Sequence, residues 1–271
     1  MDYLYHYTNI ESLALILKNH TIRFSSLDQM DDKQENASGD LANVGSFCYV
    51  SSWTSEIEES IPMWNMYASF DSGVRIKLRK NPFKIYTYSN AELRNVSNHI
   101  NIVGVDGEKQ RVSIYQPIEE VFNSHFASAQ LVKGAELYKV EYTHDRRLLY
   151  PKLLQFGDKK TQIGAGELGK YKNKYWEFQK EWRYRWLFFP INVSPNTDER
   201  EIIKLMNDMI MGTAIQPFKY YDNKISDEAY SEMEITLSPA ISPGNEELIL
   251  NTIKRYNPTA TIKLSALKGL I

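Results

Sequence analysis

The chain has 271 residues, 42% of them apolar and 24% charged, an ordinary globular composition that excludes a disordered tail, a collagen and a disulfide miniprotein. Its 32 Lys plus Arg against 34 Asp plus Glu leave a formal net charge of −2, so any nucleic-acid contact needs a local basic patch rather than a global field. The single cysteine, Cys48, excludes a disulfide framework and a cysteine-rich zinc site and fits a reducing compartment. The opening MDYLYHYTNIES lacks the basic and apolar regions of a signal peptide, and no run approaches the roughly 18 apolar residues of a membrane span. A soluble, cytoplasmic protein with no membrane contact is expected.

Residues 3–7 read as a strand, and Thr8-Asn9-Ile10-Glu11 has the Thr-x-x-Glu spacing of a capping box that opens a helix. Ile10, Leu13, Ala14, Ile16 and Leu17 then recur along one helical face until Asn19-His20. Residues 21–25 predict a second strand. Residues 26–46 carry Asp28, Asp31, Asp32, Glu35 and Asp40 with almost no apolar periodicity, which predicts a long acidic surface loop. Residues 47–53 are rich in β-formers, residues 61–68 are helical with Pro62 near the start, and residues 73–78 alternate like a half-buried strand. A further strand is possible over 82–89, and a polar insertion follows near 90–115. A helix over 116–133 and a strand over 137–142 come next. In ELGKYKNKYWEFQKEWRYRW, residues 167–186, a helix to about Phe178 precedes a strand that runs through Phe189 and ends at Pro190. Residues 194–232 read as another polar insertion with a short helix around 199–206. A strand over 233–237, a helix over 243–256 and a strand over 260–265 close the chain. The whole predicts one α+β domain over residues 1–271, with a mixed, mainly antiparallel sheet and flanking helices.

The P-loop, Rossmann, H-E-x-x-H and G-x-S-x-G motifs are absent from the sequence, which removes those enzyme classes. The five histidines, His6, His20, His99, His125 and His144, stand singly, so no metal site is expected. Asp32 and Glu35 could bind a divalent ion, but nothing near them completes a site.

Three separated pieces stand where a strand meets a loop or helix: His6-Tyr7-Thr8, Ser51-Ser52-Trp53 and Gln179-Lys180-Glu181. Their order is similar to the ADP-ribosyltransferase core, in which the first motif is His or Arg, the second Tyr or Ser and the third Glu. Four longer stretches, YHYTNIESLALILKNHTIRFSSLDQMDD, SIPMWNMYASFDSGVRIKL, WEFQKEWR and MEITLSPAIS, span nearly the whole chain in order. They resemble an uncharacterised bacterial domain family with a Y-H-Y-T-like strand, an Asn-Asp-Pro-x-Glu loop, W-x-x-Y-(Ala/Gly) before a Gly-led strand, and a late E-x-E-x-R. Here Asp31-Asp32-Lys33-Gln34-Glu35 replaces the loop pattern and Gln179 replaces the first Glu. Q-x-E is itself a form of the transferase motif.

The transferase resemblance implies a split sheet, NAD as co-substrate, and transfer of ADP-ribose to a macromolecule, with RNA or DNA slightly ahead of protein. In a bacterium it also implies a toxin or phage-defence effector that an inhibitor protein could accompany. Breaking the bond between nicotinamide and ribose develops oxocarbenium-like charge, which a fixed carboxylate stabilises while holding the 2′-hydroxyl. By the resemblance, Glu181 is that carboxylate. His6 bonds the adenosine-side ribose, with Tyr7 beside it and Thr8 supporting the same edge. Ser52 stands at the second motif, Trp64 or Tyr67 offers nicotinamide an aromatic face, and Gln179, two residues before Glu181 on one strand face, positions the acceptor.

Plainer readings stand beside these. His6 fits a strand histidine bonded to backbone, Glu181 with Arg183 fits an ion pair, and Trp64 and Tyr67 fit a core at helical spacing. The basic-aromatic segment 170–186 brings Lys172, Lys174, Trp176, Arg183 and Arg185 together, the chemistry that holds single-stranded nucleic acid. The same alternation describes one aromatic core face and one charged solvent face. The competing function is therefore a non-catalytic nucleic-acid or partner-binding module working through 170–186. A nuclease built on Asp32, Glu35 and Glu181 is a third reading.

Overall fold

Alternation and capping shape the first three elements, β1 (Tyr3–Thr8), α1 (Ile10–Asn19) and β2 (Thr21–Ser26). A computed structural model describes residues 2–89, 92, 111–123, 126–128, 130, 133–156, 161–190 and 199–271. Most of the polar stretch at 90–115, residues 194–198, and His99 and His125 lie outside the described residues. The expected cap shifts by one residue. Thr8 is still paired in its strand with Val74, so it is the Asn9 side chain that accepts from the Ser12 amide, at 2.8 Å. α1 buries Leu13, Ile16 and Leu17, and the left-handed His20 (φ 54) ends it.

The acidic stretch that follows is not a solvated loop. It winds through three short 3-10 turns, buries Leu27, Leu41 and Val44 against one face of the sheet, and takes Asp32 and Glu35 out of water. β3 (Cys48–Thr54) comes next. The helix α2 (Ile61–Met63) runs into a π turn over Trp64–Ala68 before β4 (Val74–Arg79). Gly73 is required between them, because a Cβ there would sit 2.1 Å from the Ala68 carbonyl oxygen.

The strand expected over 82–89 narrows to β5 (Tyr86–Ser89), paired with β6 (Arg111–Ile114). The helix expected over 116–133 shortens to α3 (Ile118–Asn123), since β7 (Ala127–Ser128) joins the sheet instead. The strand expected over 137–142 divides into β8 (Glu136–Lys139) and β9 (Glu141–Thr143), followed by α4 (Arg146–Leu149), β10 (Leu154–Phe156) and β11 (Thr161–Ile163). The helix expected up to Phe178 is replaced by β12 (Tyr171–Asn173) and a 3-10 turn, Lys174–Gln179. Pairing of β12 with β9 commits this backbone to a strand, and left-handed Lys180 (φ 43) ends the turn. β13 (Glu181–Phe189) then runs as expected.

The late polar stretch is not an insertion either. It holds α5 (Glu199–Met211), β14 (Tyr220–Lys224) and α6 (Asp227–Ser231), and it sends Ile225, Ala229 and Tyr230 into the core. β15 (Glu234–Leu237), α7 (Pro243–Tyr256) and β16 (Thr261–Lys263) close the chain near the expected positions.

The architecture is α+β, with a mainly antiparallel sheet of ten strands among the described residues. One path runs β14-β2-β3-β1-β4-β15-β16, and β13 pairs with β3 on one side and with β8 and β7 on the other. β13 covers one edge of β3 from Cys48 to Thr54. On the opposite edge β2 meets Tyr49 and Val50 while β1 meets Thr54, so residues 51–53 have no strand partner there among the described residues and the sheet forks. A large core packs Leu13 and Leu17 of α1 and Ile249 and Ile253 of α7 over Tyr49, Tyr184, Trp186 and Phe188. A second cluster joins Leu27, Leu41 and Val44 to Cys48, Val50 and Leu187. Each such aliphatic side chain contributes about 1.5–3 kcal/mol by leaving water.

Candidate functional site

The fork exposes the Ser52 carbonyl, and His6 of β1 reaches it, with Nδ1 donating at 2.8 Å. With Nδ1 as the donor, Nε2 of the neutral ring is left as an acceptor. Burial lowers the His6 pKa below 6.5, against the pull of the Ser52 carbonyl, so the ring is neutral at pH 7. It leans on Trp53 with ring centroids 5.0 Å apart.

Beside this bond lies a cavity of about 90 Å³ whose wall includes His6, Tyr7, Ser52, Tyr67, Gln179 and Glu181. Residues singled out in four separate segments thus converge. Asp31, Trp53 and Lys172 contribute to the same wall. Two expected members do not belong to it. Trp64 is fully buried behind Tyr7, edge-on at 5.0 Å, with its Nε1 donating to Glu59 at 2.9 Å, so it is core. Thr8 lines a different cleft, which it shares only with His6 among the residues of the 90 Å³ wall.

Glu181 is buried, and Arg183, two residues along its own strand, grips the carboxylate with Nε to Oε1 at 2.6 Å and Nη2 to Oε2 at 3.0 Å. Lys172 Nζ stands 3.2 Å from Oε2 and 3.1 Å from Glu35 Oε1, and Arg183 Nη1 also bonds Glu35. Burial alone would raise the Glu181 pKa, but Arg183 and Lys172, with hydrogen bonds from Arg183 and Ser52, hold it well below the usual carboxylate range. The result is a dry quartet of two carboxylates and two cations. The acidic loop is folded inward because Glu35 supplies the second carboxylate these cations need.

This quartet corrects the reading of 170–186 as an exposed nucleic-acid surface. Lys172 and Arg183 are consumed inside it, and Arg185 is 2% exposed, bonded to Glu136 and to the carbonyls of Ala165, Gly166 and Leu168. Lys174 is exposed, while Trp176 is half-buried with Lys172 Nζ 5.0 Å from its ring centroid. The charged face of the strand is therefore an interior face, contrary also to the expectation of a solvent face.

Gln179 lies in the 3-10 turn rather than on the strand, and left-handed Lys180 brings it and Glu181 to one cavity. Its amide nitrogen donates to the Tyr67 hydroxyl, and its buried Oε1 has no partner among the described residues. Burial, then Asp31 and Glu181, raise the Tyr67 pKa, so the phenol is protonated at neutral pH. The cavity thus offers a fixed, ionised carboxylate, a phenol, half of a free amide and several ring faces. Such a carboxylate can stabilise a developing cation or accept a bond from a hydroxyl, but it is no proton donor at pH 7.

Reading the residues one by one missed the role of Lys172 and the pairing of Glu35 with Arg183. The loop pattern ending at Glu35 and the late E-x-R were the available signals. Among the described residues, no group of three or more His, Cys, Asp or Glu is placed to hold a metal ion, and no helix is long and apolar enough to cross a membrane. Comparison with protein-family models, with curated proteins and with solved structures finds no match.

Proposed function

We propose that this protein is an NAD-dependent ADP-ribosyltransferase of the split-sheet kind, acting on a macromolecular acceptor. The observation that carries the reading is the convergence of His6, Ser52 and Glu181, from three strands far apart in the sequence, on one cavity at the fork of the sheet. As the bond between nicotinamide and ribose breaks, its electron pair goes to the pyridinium nitrogen and positive charge grows on the sugar. The ionised Glu181 faces that charge, and Arg183, Lys172 and Ser52 fix its position so that little reorganisation is needed. Lys172 and Arg183 act here as holders of the carboxylate rather than as phosphate contacts.

A cavity of about 90 Å³ takes a single ring, so nicotinamide enters it and the remainder of the dinucleotide lies outside. Tyr7, Trp53 and Tyr67 supply ring faces, and the free end of the Gln179 amide positions the attacking group of the acceptor. Unchecked, this activity would harm its own cell, which fits a toxin or phage-defence effector restrained by an inhibitor protein. The acceptor class is decided by the products.

The experiment is transfer of label from adenylate-labelled NAD to a bacterial lysate by wild type and Glu181→Gln, followed by nuclease or protease. The expected result is labelling that falls about 10²–10³-fold in the variant. Label lost to nuclease assigns a nucleic-acid acceptor, and label lost to protease assigns a protein. If wild type gives no labelling and releases no nicotinamide, the reading is overturned.

A further inference from the structure

Gln179 is 4% exposed, and its Oε1, at the wall of the 90 Å³ cavity, has no partner among the described residues. A buried carbonyl oxygen is ordinarily satisfied, so one left open at a cavity wall marks the place of a donor that comes with the ligand.

Which end of the amide meets the cavity is decided on its far side. The Gln179 nitrogen donates to the Tyr67 hydroxyl, so the single proton of that phenol goes to another acceptor. Asp31, an exposed carboxylate on the same wall, is that acceptor. Turning the amide over would set Oε1 against the phenol oxygen, and the phenol would have to release Asp31 in order to bond it. A hydrogen bond to a carboxylate is roughly twice as strong as one between neutral groups, so the chain from Asp31 through Tyr67 holds the carbonyl end of Gln179 inward.

The charges of the wall act in the same direction. Asp31 and Glu181 are both carboxylates, and the one cation there among the described residues, Lys172, stands 3.2 Å from Glu181 and 3.1 Å from Glu35. An incoming carboxylate or phosphate would meet two negative charges, a carbonyl oxygen and no spare cation. An N–H or O–H on a neutral or positively charged group meets an acceptor instead.

We infer that Asp31 is a positioning residue that, through Tyr67, fixes Gln179 as a hydrogen-bond acceptor, so that the cavity takes a donor-bearing group without negative charge and refuses carboxylates and phosphates. On the transferase reading, on which this extension rests, the attacking group of the acceptor is then an amide, amino, guanidinium or hydroxyl group.

The test is titration of isotope-labelled protein with benzamide, acetophenone and benzoate, which put on one ring an N–H donor, a ketone without a donor, and a negative charge. Each is taken to about 20 mM, enough to read a Kd near 2 mM. Benzamide is expected to shift the Gln179 side-chain amide saturably and to bind about tenfold or more tighter than either of the others. Because benzamide and acetophenone are both neutral, their ratio reads the direction of the Gln179 amide rather than the charge of the wall. Asp31→Ala and Tyr67→Phe should each bring that ratio below about threefold, and Asp31→Glu should restore it. Asp31 is exposed and Tyr67→Phe keeps the ring, so both variants are expected to fold. Wild type that binds benzamide no better than acetophenone, or not at all, overturns the inference. So does a ratio that survives Asp31→Ala, or one that falls there but survives Tyr67→Phe, which would leave Asp31 acting by charge alone. None of these readings needs NAD to be cleaved: a ratio that behaves as expected beside a wild type that transfers no label keeps the inference and sinks the transferase reading. Where label is transferred, mass spectrometry should find it on nitrogen or a hydroxyl oxygen, and label on a carboxylate or a terminal phosphate overturns the extension to the acceptor.

Discussion

Alternate residues of β13 enter two interiors that are equally dry and chemically opposite. On one face Tyr184, Trp186 and Phe188 are at most 1% exposed, in an aromatic cluster where Trp186 and Phe188 stack at 5.5 Å. On the other, Arg183 is fully buried, yet it meets Glu181, Glu35 and the Gly169 carbonyl, the last at 2.9 Å. The aromatic face is held by area, which is nondirectional and declines gradually as atoms are removed. The ionic face is held by partners, and removing one leaves an uncompensated charge. Burial depth therefore does not tell how a face responds to substitution.

The comparison breaks most sharply at Arg183. Arg183→Met leaves Glu35 and Glu181 with Lys172 alone, and the expected loss is about 3–5 kcal/mol in urea denaturation. A loss near that of an exposed ion pair would mean that the quartet is hydrated in solution.

Next in size is the dependence on acid. Glu181 is held below its ordinary value of 4.5 in the folded chain, since its cations outweigh burial, so its contribution to stability is present above about pH 4.5. It is lost as pH falls toward about 2. Urea midpoints should fall through this window in wild type, and less so in Glu181→Gln; parallel curves would remove Glu181 from the account.

On the aromatic face, Tyr184→Phe keeps the ring and loses only the hydroxyl that accepts from the Asn81 amide at 3.0 Å. About 1 kcal/mol is expected by the same measurement, and a value as large as that of Arg183 would erase the distinction between the faces. The smallest effect belongs to Lys174→Glu. Two residues from Lys172 but exposed, it should change stability by less than about 0.5 kcal/mol, and a larger loss would show that the charges of this segment act as a unit.

Legibility in the sequence followed where each residue finds its partner. α1 and α7 were readable because their apolar spacing and caps are local: Ser242 accepts from the Asn245 amide, with Pro243 in the first turn. Residues 26–46 and 212–232 were misread because their folding signal is distant, whereas the short helix around 199–206 is present within α5. Glu35 looks like a solvated acid until Arg183 is beside it, and β14 is marked as a strand by pairing with β2 rather than by its own composition. In β13 the period of two was visible, but nothing local said that its charged side faces inward. The candidate site was legible at the ends of β1, β3 and β13, where motif order could be compared. Trp64 and Thr8 were misplaced because a spacing pattern does not show which way a turn or a strand end faces.

The left-handed backbone at Lys180 bears on how this chain can drift over generations. The residue between Gln179 and Glu181 reverses the chain from a tight turn into a strand, so its backbone angle, more than its ammonium group, is what the neighbours require. Glycine and asparagine can occupy such a position readily, whereas valine or isoleucine would be strained there. Length is less forgiving than identity. One residue gained inside β13 just after Glu181 would turn that carboxylate toward the aromatic side or pull the arginines out of it, so changes of length in this segment should be purged while the middle letter of Q-x-E varies.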